Sequence, residues 1–369
     1  MQPNTPSEIS QPIYSRIDER LFPAVIEKVK GVLTEVNSHK AVVFDADFWT
    51  WQYRNLPSKT TRVYAALVND EIMGYYHVPV YKGLIDGESK SLAVVQEVAV
   101  DKKVRRQGVF RKLADFSTED LLHSGIDVVY TFPNDRSIHT FLKYNEYTLV
   151  GTLGTYILPL RSGDILRSKI NLPGIDRAVG HCADFLFKRF SVRLDREARV
   201  QVHSEIHPDI VQVFSAYQKM HRIALLRDER YLSWRFDRRP SSTHYYFSIQ
   251  DNQNQHLAVA IFKLDEMFGN PVFLLMDYAH LHGKEHYLLQ LVQHVKLHGA
   301  EEIGERFNLI VTSGNSEFLA LLKRVGFIRV PERFNSRPLK LVVKNLSQHS
   351  TDAFEPRNWH LTLSDWDVL

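Results

Sequence analysis

Two stretches of this chain occur twice, in the same order and at nearly the same spacing. Trp51-Gln52-Tyr53-Arg54-Asn55-Leu56-Pro57-Ser58 returns 183 residues on as Trp234-Arg235-Phe236-Asp237-Arg238-Arg239-Pro240-Ser241. Asn134-Asp135-Arg136-Ser137 returns 181 residues on as Asn315-Ser316-Glu317-Phe318, and Phe141-Leu142-Lys143 with Tyr147 returns 180 on as Leu321-Leu322-Lys323 with Phe327. A Trp–aromatic–Pro group is a common core anchor, so either match alone would say little. Chance does not readily give their shared order and offset, which read as two copies of one unit. A chain of 369 residues is also too long for one ordinary core.

Periodicity makes each copy an α/β unit. Copy one reads as helix 18–39 (Leu21, Val25, Ile26, Val29 and Val32 apolar), then strands 63–67, 72–80 and 91–100. Helix 109–123, strand 127–132, helix 135–144 and strand 148–160 follow. Copy two reads as strands 244–249, 257–263 and 272–278, helix 284–298, strand 307–312, helix 316–324 and strand 339–343. The division predicted is a first domain over 1–161, a linker over 162–199 and a second domain over 200–369. The linker carries an expected amphipathic helix over 175–190 and the basic residues Arg167, Lys169, Arg177, Lys188, Arg189, Arg193, Arg196 and Arg199. These read first as a solvated face.

The chemistry concentrates in copy one, where an apolar strand ending at Val98-Ala99-Val100 runs into Arg105-Arg106-Gln107-Gly108 and then a helix from Val109. A turn that opens a helix leaves backbone N–H groups without partners, at the positive end of the helix dipole. Such a start is an anion site, and adjacent arginines suit phosphate oxygens. In copy two the corresponding stretch is Leu281-His282-Gly283-Lys284-Glu285-His286, without the arginine pair.

Strand, Arg105-Arg106-Gln107-Gly108-Val109-Phe110 and helix together resemble the acetyl-CoA-binding motif of the GNAT acyltransferases, Arg/Gln-x-x-Gly-x-Gly/Ala. Phe110 departs from it, where the family usually has Gly or Ala. A Gly-x-Phe variant is familiar in one GNAT branch often associated with cell-surface polysaccharide genes. That branch also resembles this chain at Phe48-Trp49-Thr50-Trp51-Gln52-Tyr53 with Pro57, at Phe132-Pro133-Asn134, and over the tail Asn358 to Asp367. The resemblance covers residues 45–160 and, more weakly, 200–369. It implies two tandem GNAT-like mixed sheets, each mostly antiparallel and flanked by helices.

The resemblance further implies transfer of an acetyl group from acetyl-CoA to an amine such as an amino sugar. Val98 and Val100 would hold the pantetheine and polarise the thioester through their backbones. Arg105, Arg106, Gln107, Gly108, Val109 and Phe110 would hold the diphosphate. Asn134 and Ser137 would touch the pantetheine arm; helix capping is the other reading of both. The family's base is in several members a carboxylate beside the strand, where Glu97 stands, on the face opposite Val98 and Val100. Glu97 reads equally as a salt-bridged strand-end residue. The family's usual thiolate acid is a Tyr, and the aligned position here is Leu142; Tyr144, two residues on, is the candidate beside Tyr147, water and unassisted release. Copy two would shape the acceptor pocket in a cleft between the domains.

Other classes are bounded by composition. A net charge of +3 argues for no nucleic acid and no general membrane attraction. Cys182 is the only cysteine, so no internal disulfide forms, which fits a reducing compartment. Met1 to Ser15 holds no apolar core of signal length and no stretch suits a bilayer span, so a cytoplasmic chain is expected; the expected state is a monomer or homodimer. His77, His123, His139 and Asp135 lack metal-ligand spacing, the run His280, His282, His286 reads as surface, and no metal is expected. No Gly-x-Ser-x-Gly elbow occurs. The alternatives are a Fem-like aminoacyltransferase, which would not need the turn at 105–108, and a non-catalytic acyl-CoA-binding protein of the same fold.

Overall fold

The computed structural model describes residues 11–22, 25–27, 46–169, 180, 182–185, 187, 189–267, 269–335, 338–347 and 351–366. In chain order the strands are β1 (Ile13–Arg16), β2 (Thr61–Val68), β3 (Glu71–Ile85), β4 (Glu88–Val94), β5 (Val98–Val100), β6 (Val128–Thr131), β7 (Thr148–Thr152), β8 (Gly154–Pro159) and β9 (Arg199–His203). They continue as β10 (Ile223–Leu225), β11 (His244–Gln250), β12 (His256–Met267), β13 (Asn270–His280), β14 (Leu309–Gly314), β15 (Ile328–Arg329), β16 (Lys340–Asn345) and β17 (Trp359–His360). The helices used below are α1 (Ala46–Tyr53), α2 (Val109–His123), α3 (Ile138–Tyr144), α4 (Ser162–Lys169), α5 (Pro208–Gln218), α6 (Glu229–Leu232), α7 (Glu285–Glu302) and α8 (Glu317–Leu321).

The contacts divide the chain into two compact units. The first comprises Met1–Lys82, Lys90–Leu149 and Leu341–Thr351; the second comprises Gly83–Ser89, Val150–Lys340 and Asp352–Leu369.

In the first unit the strands follow the order β1-β2-β3-β4-β6-β16, with β5 on β3. The pairs β1–β2, β2–β3, β3–β5 and β6–β16 are antiparallel, and β4–β6 is parallel. Alternation along β2 and β3 sends successive side chains to opposite faces. Tyr64, Tyr76 and Val78 bury with Val109, Leu113 and Leu121 of α2 and Phe141 of α3. Val63, Tyr75 and Ala99 bury on the other face with Trp49 and Tyr53 of α1. Gly74 lets α2 lie close on the sheet, because a Cβ there would stand 3.1 Å from both Ala66 Cβ and Val109 Cγ1.

The second unit has the order β15-β8-β14-β13-β12-β11-β9, antiparallel in every pair but β13 with β14. Helix α7 buries Leu288, Leu291, Val292 and Val295, and α5 buries Ile210, Val213, Phe214 and Tyr217. Strand β10 pairs with β17 and with the Gly83–Ile85 end of β3. Each unit is thus a mostly antiparallel mixed sheet with helices, the fold class implied by the resemblance.

Three expected strands are corrected. Residues 91–100 form two strands, because at 95–97 the backbone parts from β6 while it stays on β3. Residues 148–160 also form two, parted at Leu153, whose N–H bonds Leu339 O (2.8 Å). The second of these, β8, lies between β14 and β15 in the second unit's sheet, while the expected last strand of copy two, β16, pairs with β6 in the first unit. The copies have exchanged a strand. The third helix of copy one starts at Ile138, after a turn closed by Asn134. The helix expected over 316–324 tightens into a 3₁₀ turn, Leu322–Val325, after α8. In the helix expected over 18–39, Glu19–Leu21 form a 3₁₀ turn and residues 25–27 are helical, while Val29 and Val32 lie outside the described residues. The linker helix is described only in part, with Arg177 and Lys188 outside it.

Candidate active site

The site begins where the chain, after β4, leaves β6. Strand β4 runs parallel to β6 through Val94↔Tyr130, and Val95 N–H still bonds Tyr130 O (2.9 Å) while Thr131 Oγ1 donates to Val95 O (2.8 Å). Gln96 N–H then bonds His77 O (3.0 Å), and His77 N–H bonds Glu97 O (3.2 Å). From there the chain keeps only β3 as its partner, in the register Tyr76↔Val98, Tyr75↔Ala99, Gly74↔Val100. Backbone groups alternate sides along an antiparallel strand. Glu97 O and Asp101 N–H bond to β3, the latter at Met73 O (2.8 Å), so those of Val98 and Val100 face away from it, into the wedge. Arg105 Nε takes the Val100 carbonyl (2.9 Å). The side chains of Val98 and Val100 pack toward α2, and Ala99 toward α1.

The turn that follows is shaped for close approach. Asp101 Oδ1 accepts from Lys103 N–H (2.8 Å) and starts a 3₁₀ turn, Lys102–Val104, anchored by buried Val104. Arg106 (φ 65°) and Gly108 (φ 77°) adopt the left-handed conformation, unfavourable for arginine and easy for glycine. Lys112 N–H is the first in α2 to reach a carbonyl one turn back, Gly108 O (3.0 Å). The amides of Val109, Phe110 and Arg111 precede it, at the helix's positive end. A Cβ on Gly108 would meet nothing within 4 Å, so this side of the turn is open. Arg105 and Arg106 are exposed, and Gln107 Nε2 is engaged within the turn at Lys103 O (3.2 Å). Phe110 turns away from the open side: it packs on the core with Tyr76 and, edge to face at 5.4 Å, with Phe141. The residue that departs from the Gly/Ala pattern therefore fills the interior rather than the turn.

Asn134 Oδ1 accepts from Arg136 N–H (3.0 Å), Ser137 N–H (3.0 Å) and Ser137 Oγ (3.2 Å). Both side chains close the turn after β6. Tyr144 is 39% exposed at the end of α3, with Arg111 and Lys143 5.5 and 5.3 Å from its ring centre. Tyr147 is buried against Phe141, and burial pushes its hydroxyl pKa up.

Glu97 has partners the sequence reading missed. Its Oε2 accepts from Tyr53 Oη (2.6 Å), and the Tyr53 and Tyr75 hydroxyls bond each other. His77 Nδ1 stands 3.6 Å from the same oxygen, its ring stacked on Tyr53 (3.9 Å, 13°) and its Nε2 bonded to Thr61 Oγ1 (2.8 Å). Gln52 Nε2 donates to Gln96 Oε1 (2.9 Å) alongside. Glu97 keeps 13% of its side chain exposed, while His77 has none. Burial holds both tyrosines well above the ordinary phenol pKa and holds His77 below the ordinary imidazole value, against the pull of Glu97. At neutral pH the carboxylate therefore stands among uncharged groups, and among the described residues it forms no ion pair with lysine or arginine. Tyr53 lies in the repeated motif, which was the one sequence signal for it; nothing in the alternation of β3 singled out His77.

Comparison with known proteins fits this geometry. Residues 14–150 match the family model described as an acetyltransferase (GNAT) domain. No curated protein matches the chain. Among solved structures, an Enterococcus faecalis protein described as a probable N-acyltransferase is similar over 92% of this chain and 73% of its own, with a TM-score of 0.65 and 10% identity. A tandem GNAT protein from the clavulanic acid biosynthesis pathway is similar over 92% of this chain and 100% of its own (TM-score 0.59, 10% identity). Saccharomyces cerevisiae N-myristoyltransferase with bound myristoyl-CoA is similar over 93% and 86% (TM-score 0.55, 11% identity). At these identities the likeness is one of fold, and the fold is that of tandem GNAT-like domains. Among the described residues no helix is long and apolar enough to cross a membrane, and no cluster of His, Cys, Asp and Glu could hold a metal.

Proposed function

We propose that this chain is an acyl-CoA-dependent N-acyltransferase that moves acetyl from acetyl-CoA to a small-molecule amine, with an amino sugar as the first acceptor to test. One observation carries the reading: the strand that leaves its neighbour at Val98–Val100 leads directly into an open, basic turn at the start of α2, within the segment that matches the GNAT model. The diphosphate would lie on the amides of Gly108 to Arg111, between Arg105 and Arg106. The pantetheine would add to β5 through Val98 and Val100, and one of their N–H groups would polarise the thioester carbonyl. Asn134 and Ser137 would border the arm.

Glu97 is the base in this reading. It takes a proton from the amine as nitrogen bonds to the carbonyl carbon; the C–S bond then breaks and sulfur leaves as thiolate. Tyr144 would return a proton to that sulfur. Phe110 supports the turn from inside. The acetyl donor, the amino-sugar acceptor and the link to cell-surface polysaccharide rest on the family resemblance; a cytoplasmic location rests on the single cysteine and the polar start of the sequence.

Mass spectrometry of the purified protein tests the donor, with acetyl-CoA or CoA at about one per chain expected. A screen of amines, glucosamine and polyamines included, with thiol release from acetyl-CoA as readout, tests the reaction. Binding of acetyl-CoA with no thiol release on any amine would leave the fold as a binding module.

A further inference from the structure

We propose that Glu97 and His77 act as one base: Glu97 takes the proton from the attacking amine, and His77, set behind it on β3, receives that proton in turn. This rests on the reading of Glu97 as the base.

The geometry is specific. His77 is wholly buried, and its Nδ1 is without a hydrogen-bond partner, aimed at Glu97 Oε2 across 3.6 Å. Buried ring nitrogens are normally bonded, so an unpartnered one facing a carboxylate needs a reason. The ring cannot swing away to find another partner. Backbone bonds hold residue 77 to 96 and 97 on one side, Tyr53 stacks on its face, and Thr61 Oγ1 holds Nε2. Only a proton can move here.

If Nε2–H donates to Thr61, the Nδ1 lone pair faces a carboxylate lone pair. Two such atoms repel, and 3.6 Å is longer than an N–H···O bond. A proton entering the gap turns repulsion into a hydrogen bond. Once Glu97 is protonated, its O–H donates to Nδ1 and the proton crosses. The product is a carboxylate–imidazolium pair, and the lost hydration of the imidazolium is partly offset by the adjacent negative charge. The proton returns to solvent through the exposed edge of Glu97. Among the described residues, Tyr53 from α1 and Tyr75 from β3 are the other titratable groups facing the pair, both held protonated by burial, and Thr61 from β2 does not titrate. The pair therefore takes up protons as a unit. His77 is a positioning residue in this scheme, because it acts on substrate only through Glu97.

Long-range ¹⁵N–¹H spectra of the ring in the unmodified protein read the tautomer directly. A neutral His77 with its proton on Nε2 is expected at neutral pH. A proton on Nδ1, donated to Glu97, would overturn the proposal. In His77→Gln, turnover of acetyl-CoA with an amine from the screen, or with water as acceptor, should fall about a hundredfold, the lower end for a positioned proton acceptor. KM for acetyl-CoA should hold, and the acid limb of the rate profile should move to lower pH. A lowered Tm with an unmoved limb would make His77 structural and overturn it. Should that variant fail to fold, Thr61→Val, which removes only the Nε2 partner, should shift the tautomer and the limb; neither moving counts against the proposal. Full turnover in Glu97→Gln would sink the base reading itself, whereas a dead Glu97→Gln beside an unmoved limb in His77→Gln would sink only the pairing.

Discussion

The same wedge exists in both units, and the two are put to different ends. In the first, Thr131 Oγ1 donates to Val95 O (2.8 Å); in the second, Thr312 Oγ1 donates to Leu275 O (2.9 Å). Two residues further along each strand stands a carboxylate, Glu97 or Asp277. Glu97 has neutral neighbours and an exposed edge. Asp277 is fully buried and bound by Arg227 Nε (2.8 Å) and Ser364 Oγ (2.8 Å), and Arg227 also holds Asp365 (2.7 Å). The unit's own tail enters this wedge. Leu361 N–H bonds Oδ1 of Asn315, the counterpart of Asn134, at 3.0 Å, and a Cβ on Gly314 would stand 2.5 Å from Leu361 O. Ahead of α7, Gly283 keeps its left-handed φ of 69°, but the arginines are gone. The wedge belongs to the fold; the partner given to its carboxylate decides whether chemistry is possible there. A carboxylate neutralised by a fixed guanidinium is a poor base, and one among neutral donors is not.

The largest effect expected is on folding, from Arg227→Met. It leaves Asp277 and Asp365 buried together without their cation, and burial already holds Asp365 above the usual carboxylate pKa. Breaking such a pair costs about 3–5 kcal/mol. Denaturant unfolding should show it, with much of the loss recovered in Arg227→Met/Asp277→Asn; a loss below about 1 kcal/mol would mean the pair is not what fills the wedge. Glu97→Gln is the converse, with Tm nearly unchanged and turnover down roughly 10²- to 10⁴-fold. Equal damage to stability from the two carboxylates would break the comparison.

Gly108→Glu should abolish acetyl-CoA binding by on the order of 3 kcal/mol, through repulsion and lost amide contacts. Calorimetry with circular dichroism checks this, since unchanged affinity in a folded variant would put the diphosphate elsewhere. The smallest effect should come from Tyr144→Phe. A thiol ionises near pH 8.5, so a thiolate leaves with little help, and a loss of about tenfold in turnover is the most expected. A loss as large as that of Glu97→Gln would make protonation of sulfur the difficult step.

Much of this was legible in the sequence, and for identifiable reasons. The turn at 105–108 is encoded locally, by a glycine with positive φ ahead of an amphipathic helix, and the repeat offset carried the tandem architecture. The break at 95–97 was not legible, because Val94, Val95, Val98 and Val100 read as one β-branched run and only partner strands reveal the change. The exchange of β8 and β16 was hidden for the same reason, since strand pairing is non-local. Glu97 was found beside its strand, but Tyr53, Tyr75 and His77 come to it from α1 and β3, and no local pattern links them.

The strand exchange bears on how the protein is made. β6 receives β16 only after residues 340–345 have been synthesised, so the first unit to emerge is the one that must wait longest for its last strand. Until then β6 presents a bare row of amides and carbonyls, an invitation to any other extended chain. A nascent or truncated chain ending near residue 161 would carry that open edge permanently. Bringing together strands so far apart along the chain also makes closure slow. The second half of the chain therefore supplies the first unit with a strand, whatever chemistry the second unit has.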